Sequence, residues 1–547
     1  MKLRFPNRIF LTFGDGDARA ERELSAADGL SFDDIVVRMA HKQDHLALTI
    51  QADATPVRGL RLQWTLTKEE QRDPSRVVRV LGDAWERAYG DLGWKEIRAE
   101  RCMPWYFAVS DGTDAVDDVK GRLTETFGVR VRPAAMCMWQ YDGESVTLWL
   151  DCRSGGEGVL LGGRELQLAE IVFGEYPDMM AFDAVCDFCK VMSPDPLKGG
   201  EDIWGSNNWY YAYGTSSHEE ILRDTALVVE LSEGCARMPY MVIDDGWQKN
   251  PINAPWIPNE RFPDMAGLAA QMKKMGVHPG IWIRYLIDAT HAVELPDECR
   301  RGEGGYAFDP SHPAVLDYVR RCTEMVVNWG YEMIKHDFST FDIFGKWGFQ
   351  TTDFMASEGW HFYDRTKTSA EIIINFYRVI LESAKGAKIL GCNCIGHLCA
   401  GLVHANRTGD DTSGFEWERT RKMGINTLAF RMPQEGAFFG ADADCVGIKG
   451  MFPWENNRQW LELLARSATP LFVSCDPTVV TEQQKQDLKA AYQLWNDCKD
   501  RGTAYTLRPV DWMESSTPRV YEWRDADGTH RVCYDWLPFD GSTFIRL

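Results

Sequence analysis

The 547-residue sequence lacks any run of roughly 18 apolar residues, the length that a membrane-spanning helix requires. It is also poor in basic residues, with 60 Lys and Arg against 81 Asp and Glu and a net charge of −21. Binding to a phosphate backbone requires a basic stripe, and this balance argues against one. The basic opening is followed by too few apolar residues for a signal peptide. We therefore expect neither a membrane nor a nucleic-acid partner.

The 15 cysteines are scattered without the spacing of a disulfide framework, in a chain too large to need such staples. This usage predicts reduced thiols and a cytoplasmic enzyme. Aromatic residues make up 12% of the chain and include 21 Trp, which favours a flat-faced ligand such as a sugar, although core packing also uses Trp. No internal repeat or low-complexity tract is present, and no segment indicates an oligomer, although the sequence is compatible with one.

Residues 1 to about 190 are predicted to form mostly strands. Alternating apolar and polar residues occur over 44–51, 129–132 and 145–150, and turn residues such as those at 141–143 separate them. One helical interruption is predicted over residues 77–89. This pattern is typical of a β-sandwich.

From about residue 195, short apolar strands alternate with segments of helical period, which predicts βα units and a parallel sheet. Ser217, followed three residues later by Glu220, predicts the start of one helix. Gly276, Gly330 and Gly386 are expected to end three further helices as left-handed caps.

Eight strands are predicted in this region, near Trp209, Val242, Ile281, Ile334, Leu390, His404, Phe439 and Phe472. Eight parallel strands over this length predict a (β/α)₈ barrel, although the gap between the fifth and sixth is too short for a full helix. After a helix over 482–499, alternating residues around the turn at 525–528 predict a β-hairpin.

The predicted fold class is therefore α/β, a (β/α)₈ TIM barrel flanked by an N-terminal β-sandwich domain and a small C-terminal antiparallel β domain. The expected boundaries are residues 1–193 for the β-sandwich, 194–481 for the barrel, and 482–547 for the C-terminal helix and β domain.

Polar side chains follow five of the predicted strands, at the end where barrel enzymes place their active sites. The second strand ends in Asp244 and Asp245, the fourth in Asp337, and the sixth in Asp410 and Asp411. A single carboxylate at a strand end is usually a helix N-cap. Its repetition around the barrel instead favours a catalytic site.

Two carboxylates on facing strands are the minimum that glycoside hydrolysis requires. Asp337 suits the nucleophile because Lys335 points to the same face of the strand and favours the ionised carboxylate. Asp411 suits the acid/base role, for which we expect a pKa raised by neighbouring negative charge. Asp244 and Asp245 offer acceptor oxygens for sugar hydroxyls, and Trp209, Trp247 and Trp282 offer stacking faces. This chemistry requires no cofactor.

These motifs, in this order, resemble the α-galactosidases of glycoside hydrolase families 36 and 27, most closely the compact bacterial members of family 36. The family motif Asp-Asp-Gly-Trp appears at residues 244–247, Lys-x-Asp at 335–337, and Arg-x-x-x-Asp at 407–411. Weaker similarities extend the resemblance over roughly residues 200–480, at 208–210 on strand one, 280–282 on strand three, Cys392 on strand five, and 442–445.

The resemblance implies a retaining exo-glycosidase that releases terminal α-linked galactose from small galactosides. In this mechanism Asp337 forms a covalent glycosyl intermediate, while Asp411 first protonates the leaving oxygen and then deprotonates water. It further implies a set of sugar-binding residues, which are Asp244 and Asp245 on the O4 and O6 side, Lys335 near the nucleophile, Arg407 on the far side, and Trp209, Trp282 and Cys392.

Some alternatives stay open at this point. The residues 392–397 around strand five depart from the family pattern, so an N-acetylgalactosaminidase or a transglycosylase with the same catalytic pair is a second interpretation. A non-catalytic sugar-binding barrel is a third. Asp410 next to Asp411 leaves the acid/base assignment ambiguous by one residue, and we prefer Asp411 because it fits the Arg-x-x-x-Asp spacing.

A metal site is not expected. The spacing of Cys392, Cys394, His397 and Cys399 does not match the common closed zinc patterns. The Cys-x-x-Cys at residues 186–189 lies in a predicted helix, where packing is the simpler interpretation than redox chemistry.

Overall fold

The computed structural model describes residues 1–25, 27, 29–73, 75–111, 120–200 and 202–536. Residues 537–547 of the predicted C-terminal domain lie outside this range. The fold is mixed α/β, with antiparallel sheets and one large parallel sheet, which confirms that part of the predicted fold class. The predicted domain boundaries stay predictions.

The N-terminal part forms two antiparallel sheets. Within the described residues, one has the strand order β2-β1-β6-β12-β11-β8 and the other β3-β4-β5-β13-β10-β9-β7. The strands are β1 (Arg8–Phe13), β2 (Ala20–Leu24), β3 (Ser31–Phe32), β4 (Ile35–His41), β5 (Leu46–Gln51), β6 (Val57–Thr65), β7 (Val78–Gly82), β8 (Met103–Pro104), β9 (Tyr106–Asp111), β10 (Leu123–Val129), β11 (Met136–Tyr141), β12 (Ser145–Asp151) and β13 (Glu165–Pro177).

Aromatic rings from both antiparallel sheets pack against one another. Trp64 of β6 lies 5.4 Å from Phe173 of β13, and Trp139 of β11 lies 5.8 Å from Phe107 of β9, measured between ring centroids. Trp64, Trp139 and Phe107 are fully buried. These contacts hold the two sheets face to face.

The helix predicted over residues 77–89 is wrong. Its first part is strand β7, which pairs antiparallel with β9, and residues 83–89 are irregular. The alternation of Val78, Val80 and neighbouring polar residues suits an edge strand, and pairing with β9 decides between a helix and a strand for this segment.

The parallel sheet follows in the chain. Its strands are β14 (Trp204–Asn207), β15 (Tyr240–Ile243), β16 (His278–Ile283), β19 (Met333–His336), β20 (Lys388–Gly391), β21 (Ala405–Arg407), β22 (Gly440–Asp442), β23 (Cys445–Ile448) and β24 (Leu471–Cys475), and a small hairpin is formed by β17 (Arg300–Arg301) and β18 (Ala307–Phe308).

In the described residues the parallel sheet has nine strands in the order β22-β21-β20-β19-β16-β15-β14-β24-β23. Only Ala443 and Asp444 lie between its two end strands, β22 and β23, in the sequence. The sheet is therefore curled, and the carboxyl ends of its strands face one common opening.

The helices are α1 (Ala181–Met192), α2 (Trp209–Ala212), α3 (His218–Leu231), α4 (Met265–Met275), α5 (Pro313–Asn328), α6 (Ser339–Phe344), α7 (Ser369–Ser383), α8 (Gly396–Cys399), α9 (Trp417–Thr420), α10 (Thr427–Arg431), α11 (Trp454–Ser467) and α12 (Glu482–Arg501). The predicted N-cap is confirmed, because the Ser217 side chain accepts a hydrogen bond from the Glu220 amide. The predicted caps Gly276, Gly330 and Gly386 all have positive φ.

Trp209 is not on the first strand, as predicted, but begins the short helix α2. The strand ends at Asn207 because its side-chain oxygen accepts a hydrogen bond from the Trp209 amide at 2.8 Å, which turns the chain. Trp209 is thereby carried to the rim of the opening.

The C-terminal part contains β25 (Arg508–Pro509), β26 (Val520–Asp525) and β27 (Gly528–Cys533), and the predicted hairpin turn between the last two is confirmed. Among the helices of the described residues, none has the length and hydropathy that crossing a bilayer requires.

Candidate active site

A cavity of about 320 Å³ opens where the parallel strands end at their carboxyl termini. Trp247, for which the sequence predicts a stacking face, is instead fully buried, and its indole Nε1 donates to the Trp282 carbonyl. The cavity wall includes eight of the nine catalytic and sugar-binding residues that the family resemblance implies: Trp209, Asp244, Asp245, Trp282, Lys335, Asp337, Cys392 and Asp411. The ninth, Arg407, is 1% exposed and lies behind Asp411. Its predicted contact with a sugar stays a prediction.

Asp337 follows β19 and is held by two donors. The indole Nε1 of Trp282 donates to its Oδ2 at 3.2 Å, and the amide of Phe338 donates to its Oδ1 at 2.7 Å. Phe338 has φ +61°, a strained conformation for a non-glycine residue, and the Arg284 guanidinium lies 4.1 Å from its ring centroid. The carboxylate is therefore fixed in orientation towards the cavity.

Lys335 does not pair with Asp337 directly. Its Nζ donates to Asp244 Oδ2 at 2.7 Å, and Asn207 Nδ2 donates to the same oxygen at 2.7 Å. Burial lowers the pKa of Lys335, but Asp244 and the other nearby anions outweigh this effect and raise it well above its ordinary value. Lys335 is consequently a permanent cation in the floor of the cavity.

Asp245 points one oxygen at polar neighbours of its own loop. Gln248 Nε2 donates to Asp245 Oδ1 at 2.6 Å and the Ile252 amide donates at 2.8 Å. Burial raises the pKa of Asp245 above its usual value, against these two hydrogen bonds. Asp244 and Asp245 thus place acceptor oxygens at the cavity wall.

Asp411 and Asp410 have different surroundings. The Asp411 side chain is 40% exposed and contacts Arg407 Nη2 at 3.2 Å. Asp410 is bound by two guanidinium groups, Arg87 Nη2 at 3.0 Å and Arg419 Nη2 at 2.7 Å. Because Asp410 is engaged in two ion pairs, Asp411 is the carboxylate of this strand that remains available to a ligand.

The prediction that the pKa of Asp411 is raised is wrong. Partial burial acts to raise it, but Arg407, Arg87 and Lys335 together hold it below its ordinary value. The adjacent carboxylate, Asp410, is itself paired with two arginines, Arg87 and Arg419.

Several wall residues were not predicted from the sequence: Arg87, Tyr89, Ile252, Phe338, Trp347, Phe349 and Arg419. Arg87 and Tyr89 come from the irregular segment after β7, far away in the chain. Trp347 and Phe349 come from the loop after α6. No local motif marks any of them. The cluster of aromatic and charged residues between 338 and 349 was the one available signal.

A larger cavity of about 500 Å³ lies between the first antiparallel sheet and residues 354–358. Its buried arginines are already used, since Arg58 pairs with Asp15 and Glu358, and Arg153 pairs with Asp151 and Glu358. We therefore place the site in the smaller cavity, where Asp411 is exposed. The described residues contain no group of three or more His, Cys, Asp or Glu arranged to hold a metal ion.

No family model and no curated protein matches the sequence. Solved structures do match. An α-galactosidase from Thermus thermophilus in complex with p-nitrophenyl α-D-galactopyranoside is 15% identical, with a TM-score of 0.59 over 91% of this chain and 99% of that chain. A variant of the family 36 α-galactosidase AgaA from Geobacillus stearothermophilus, in complex with raffinose, is 12% identical, with a TM-score of 0.62 over 96% of this chain and 80% of that chain. This chain shares the fold of the glycoside hydrolase family 36 α-galactosidases.

Proposed function

We propose that the chain is a retaining, exo-acting glycoside hydrolase that releases terminal α-linked galactose from small galactosides by double displacement. The observation that carries the proposal is the shared cavity of Asp337 and Asp411. Two carboxylates in one cavity supply the nucleophile and the proton donor that this reaction needs. The fold shared with α-galactosidases supports galactose as the sugar that is released.

Asp337 is the proposed nucleophile. Its oxygen attacks the anomeric carbon as the bond to the leaving oxygen breaks, which forms a glycosyl ester. The hydrogen bonds from Trp282 and the Phe338 amide hold the carboxylate in a single orientation before the substrate arrives, which lowers the entropic cost of attack.

Asp411 is the proposed acid/base. It donates a proton to the leaving oxygen in the first step and accepts one from water in the second. Because the surrounding arginines and Lys335 lower the pKa of Asp411, they favour the ionised form that the second step requires. Protonation for the first step is then favoured at acidic pH, and Arg407 orients the carboxylate.

The remaining predicted residues are proposed to bind the galactose ring. Asp244, Asp245 and Lys335 offer hydrogen bonds to its hydroxyls, and Trp209 and Trp282 border the same space. Cys392 lines the same cavity, and we propose that it faces the second carbon of the sugar, where galactose and N-acetylgalactosamine differ.

The geometry of the parallel sheet also supports the (β/α)₈ barrel that the sequence predicts. With β22 and β23 taken as one interrupted strand, the parallel sheet becomes an eight-stranded (β/α)₈ barrel, flanked by the N-terminal β-sandwich and the C-terminal β domain with the predicted boundaries.

We also propose a cytoplasmic location, from the scattered cysteines.

A panel of aryl α-glycosides tests the glycone. Cleavage of the galactoside supports the proposal, cleavage of the N-acetylgalactosaminide selects the alternative sugar, and cleavage of neither contradicts both. With the cleaved substrate, NMR of the first-formed sugar distinguishes retention, which yields the α-anomer, from inversion. Transfer of the glycosyl group to an added sugar measures transglycosylation.

Two variants test the residue roles. Asp337→Ala is expected to abolish turnover, because no other carboxylate replaces the attacking group. Asp411→Ala is expected to keep partial activity on an aryl substrate with a good leaving group, and added azide should give a galactosyl azide of retained configuration. Asp317→Asn, which changes an exposed carboxylate of α5, is the matched control. Unchanged activity in Asp411→Ala would transfer the acid/base role to Asp410.

A further inference from the structure

The larger cavity, of about 500 Å³, lies on the outer face of the first antiparallel sheet. Thr12 of β1, Gly59 of β6 and Asp151 of β12 lie opposite one another on paired strands, so they share one face of the sheet. Their sequence neighbours Leu60 and Leu150 are buried on the other face, in the core. The cavity is therefore a depression in the face that this sheet turns away from the core.

Gly59 leaves room for this depression. A Cβ atom at position 59 would collide with the Leu150 carbonyl oxygen, so only glycine fits where β6 and β12 approach each other. Because residue 59 has no side chain, the space between Thr12 and Asp151 stays open. The opening is thus built into the pairing of the two strands.

Two aromatic rings form part of the cavity wall. The ring centroids of Trp149, on β12, and Phe354 are 6.4 Å apart in an edge-to-face arrangement, and both residues are half-buried. The indole Nε1 of Trp149 already donates to Gln140 Oε1 at 2.8 Å. The two rings therefore offer the cavity apolar carbon surface, on which the C–H face of a pyranose ring can pack.

The rest of the wall carries polar groups whose positions are fixed. Arg153 donates to both oxygens of Asp151, from Nε at 2.8 Å and from Nη2 at 2.7 Å. Arg153 and Arg58, both buried, also donate to Glu358, whose side chain is 55% exposed. Each carboxylate oxygen can accept more than one hydrogen bond. Asp151 and Glu358 are consequently rigid acceptors for the hydroxyl groups of a ligand.

The charges of the wall cancel. It contains three arginines and three carboxylates, which are Arg19, Arg58, Arg153, Glu21, Asp151 and Glu358. Arg19 pairs with Glu358 at 3.3 Å, and Glu21 pairs with Arg61 at 2.8 Å. A charged ligand would have to break one of these pairs to be neutralised, which is costly for the buried arginines. An uncharged ligand with hydroxyl donors and an apolar face needs no such exchange, and a saccharide has both.

We propose that this cavity is a second saccharide-binding site, in which an uncharged sugar packs on Trp149 and Phe354 and donates hydrogen bonds to Asp151 and Glu358. This inference goes beyond the proposed function, because none of the residues that line this cavity lines the catalytic one. Both carboxylates are paired with arginines, and the site is proposed to hold the sugar rather than to cleave it.

Fluorine NMR of protein labelled with fluorotryptophan reports the two cavities separately, because Trp149 lines one and Trp282 lines the other. Each resonance is assigned by its loss in the corresponding Trp→Phe variant. In Asp337→Asn, which is used to block turnover, galactosyl-α-1,6-glucose should shift the Trp149 resonance and saturate it at about millimolar concentration, as expected for a few weak contacts. The resonance of Trp523, on β26, is the control and should not move.

Phe354→Ala removes one ring of the wall. It is expected to weaken the binding measured at Trp149 by about 3- to 10-fold, the range of one aromatic contact, and to leave the dissociation constant measured at Trp282 within about 2-fold. Phe5→Ala is the matched control, since Phe5 is an exposed aromatic residue that packs against His41 outside this cavity. It should leave both constants within about 2-fold.

Three results separate the possible outcomes. The second site is overturned if the disaccharide leaves the Trp149 resonance unmoved up to about 50 mM, or if Trp149 and Trp282 titrate with one shared constant that Phe354→Ala does not change. A saturable shift of Trp149 with inorganic phosphate, and none with the disaccharide, would assign the cavity to an anion and also overturn it. Saccharide binding at Trp149 in a protein that cleaves no aryl α-glycoside would instead contradict the proposed function alone.

Discussion

Residues 83–89, which we call the strap, run from β7 to the opening of the parallel sheet, and Arg431 of α10 donates to Asp83 Oδ1 at 2.9 and 3.0 Å. Loosening the strap should be measurable as local exposure of these residues. In Arg431→Met the Asp83 carboxylate loses its guanidinium partner while it remains buried, since the two side chains are 2% and 7% exposed. Gln434 Nε2, at 2.9 Å from Asp83, remains as its one neutral donor among the hydrogen bonds described. Opening of the strap then returns an uncompensated charge to water.

The size of this effect follows from the burial of the pair. Removing one partner of a buried ion pair costs about 3–5 kcal/mol. If this cost is relieved when the strap opens, the open state gains roughly two to four orders of magnitude in population. Amide hydrogen exchange reports that population, and Ala88, whose amide bonds to Thr408, is a direct probe.

The assay is hydrogen exchange followed by mass spectrometry of peptides that cover residues 83–89. Arg320→Met is the matched control, since Arg320 forms an exposed pair with Asp317 on α5, and it should change local protection by about 2-fold at most. The reasoning is refuted if Arg431→Met leaves protection of the strap unchanged, or lowers protection equally along the whole chain.

Further predictions concern charge. Arg87→Met removes a cation near Asp411, so the pKa of Asp411 should rise and the alkaline limb of kcat/KM should move to higher pH. Asp410→Asn leaves Arg87 and Arg419 uncompensated, so the pKa of Asp411 should fall and the alkaline limb should move to lower pH. Identical shifts in both variants would contradict this assignment. A further prediction concerns stability, because burial raises the pKa of Asp224 to about 7. The contribution of Asp224 to the free energy of unfolding is therefore complete below its pKa of 3.8 in the unfolded chain, and it is lost as pH rises through 7. Asp224→Asn should therefore lose less thermal stability than the unaltered protein between pH 5 and 8, and an equal loss would argue against the raised pKa.

The sequence predicted the parts of the fold that are encoded locally. The helix caps at Ser217 and Gly276 and the hairpin turn at 525–528 depend on neighbouring residues, and all three are present. Asp244 and Asp337 could be placed at strand ends because the carboxyl ends of parallel strands share one edge.

The parts that sequence reasoning missed depend on contacts between distant segments. Arg87 pairs with Asp410 and Glu86 bonds to Gly348, and neither partner follows from a local pattern. The pKa of Asp411 was misjudged for the same reason, because Arg87 is one of the cations that lower it. The helix predicted over 77–89 failed because pairing with β9, a tertiary contact, decided its conformation.

The most direct test of the catalytic assignment is to trap the covalent intermediate. Incubation with 5-fluoro-α-galactosyl fluoride, followed by proteolysis and mass spectrometry, identifies the residue that carries the glycosyl ester. The account predicts one adduct, on the peptide that contains Asp337, and none in Asp337→Asn. An adduct on Asp244, Asp410 or Asp411, or turnover to an inverted product without any adduct, would contradict it.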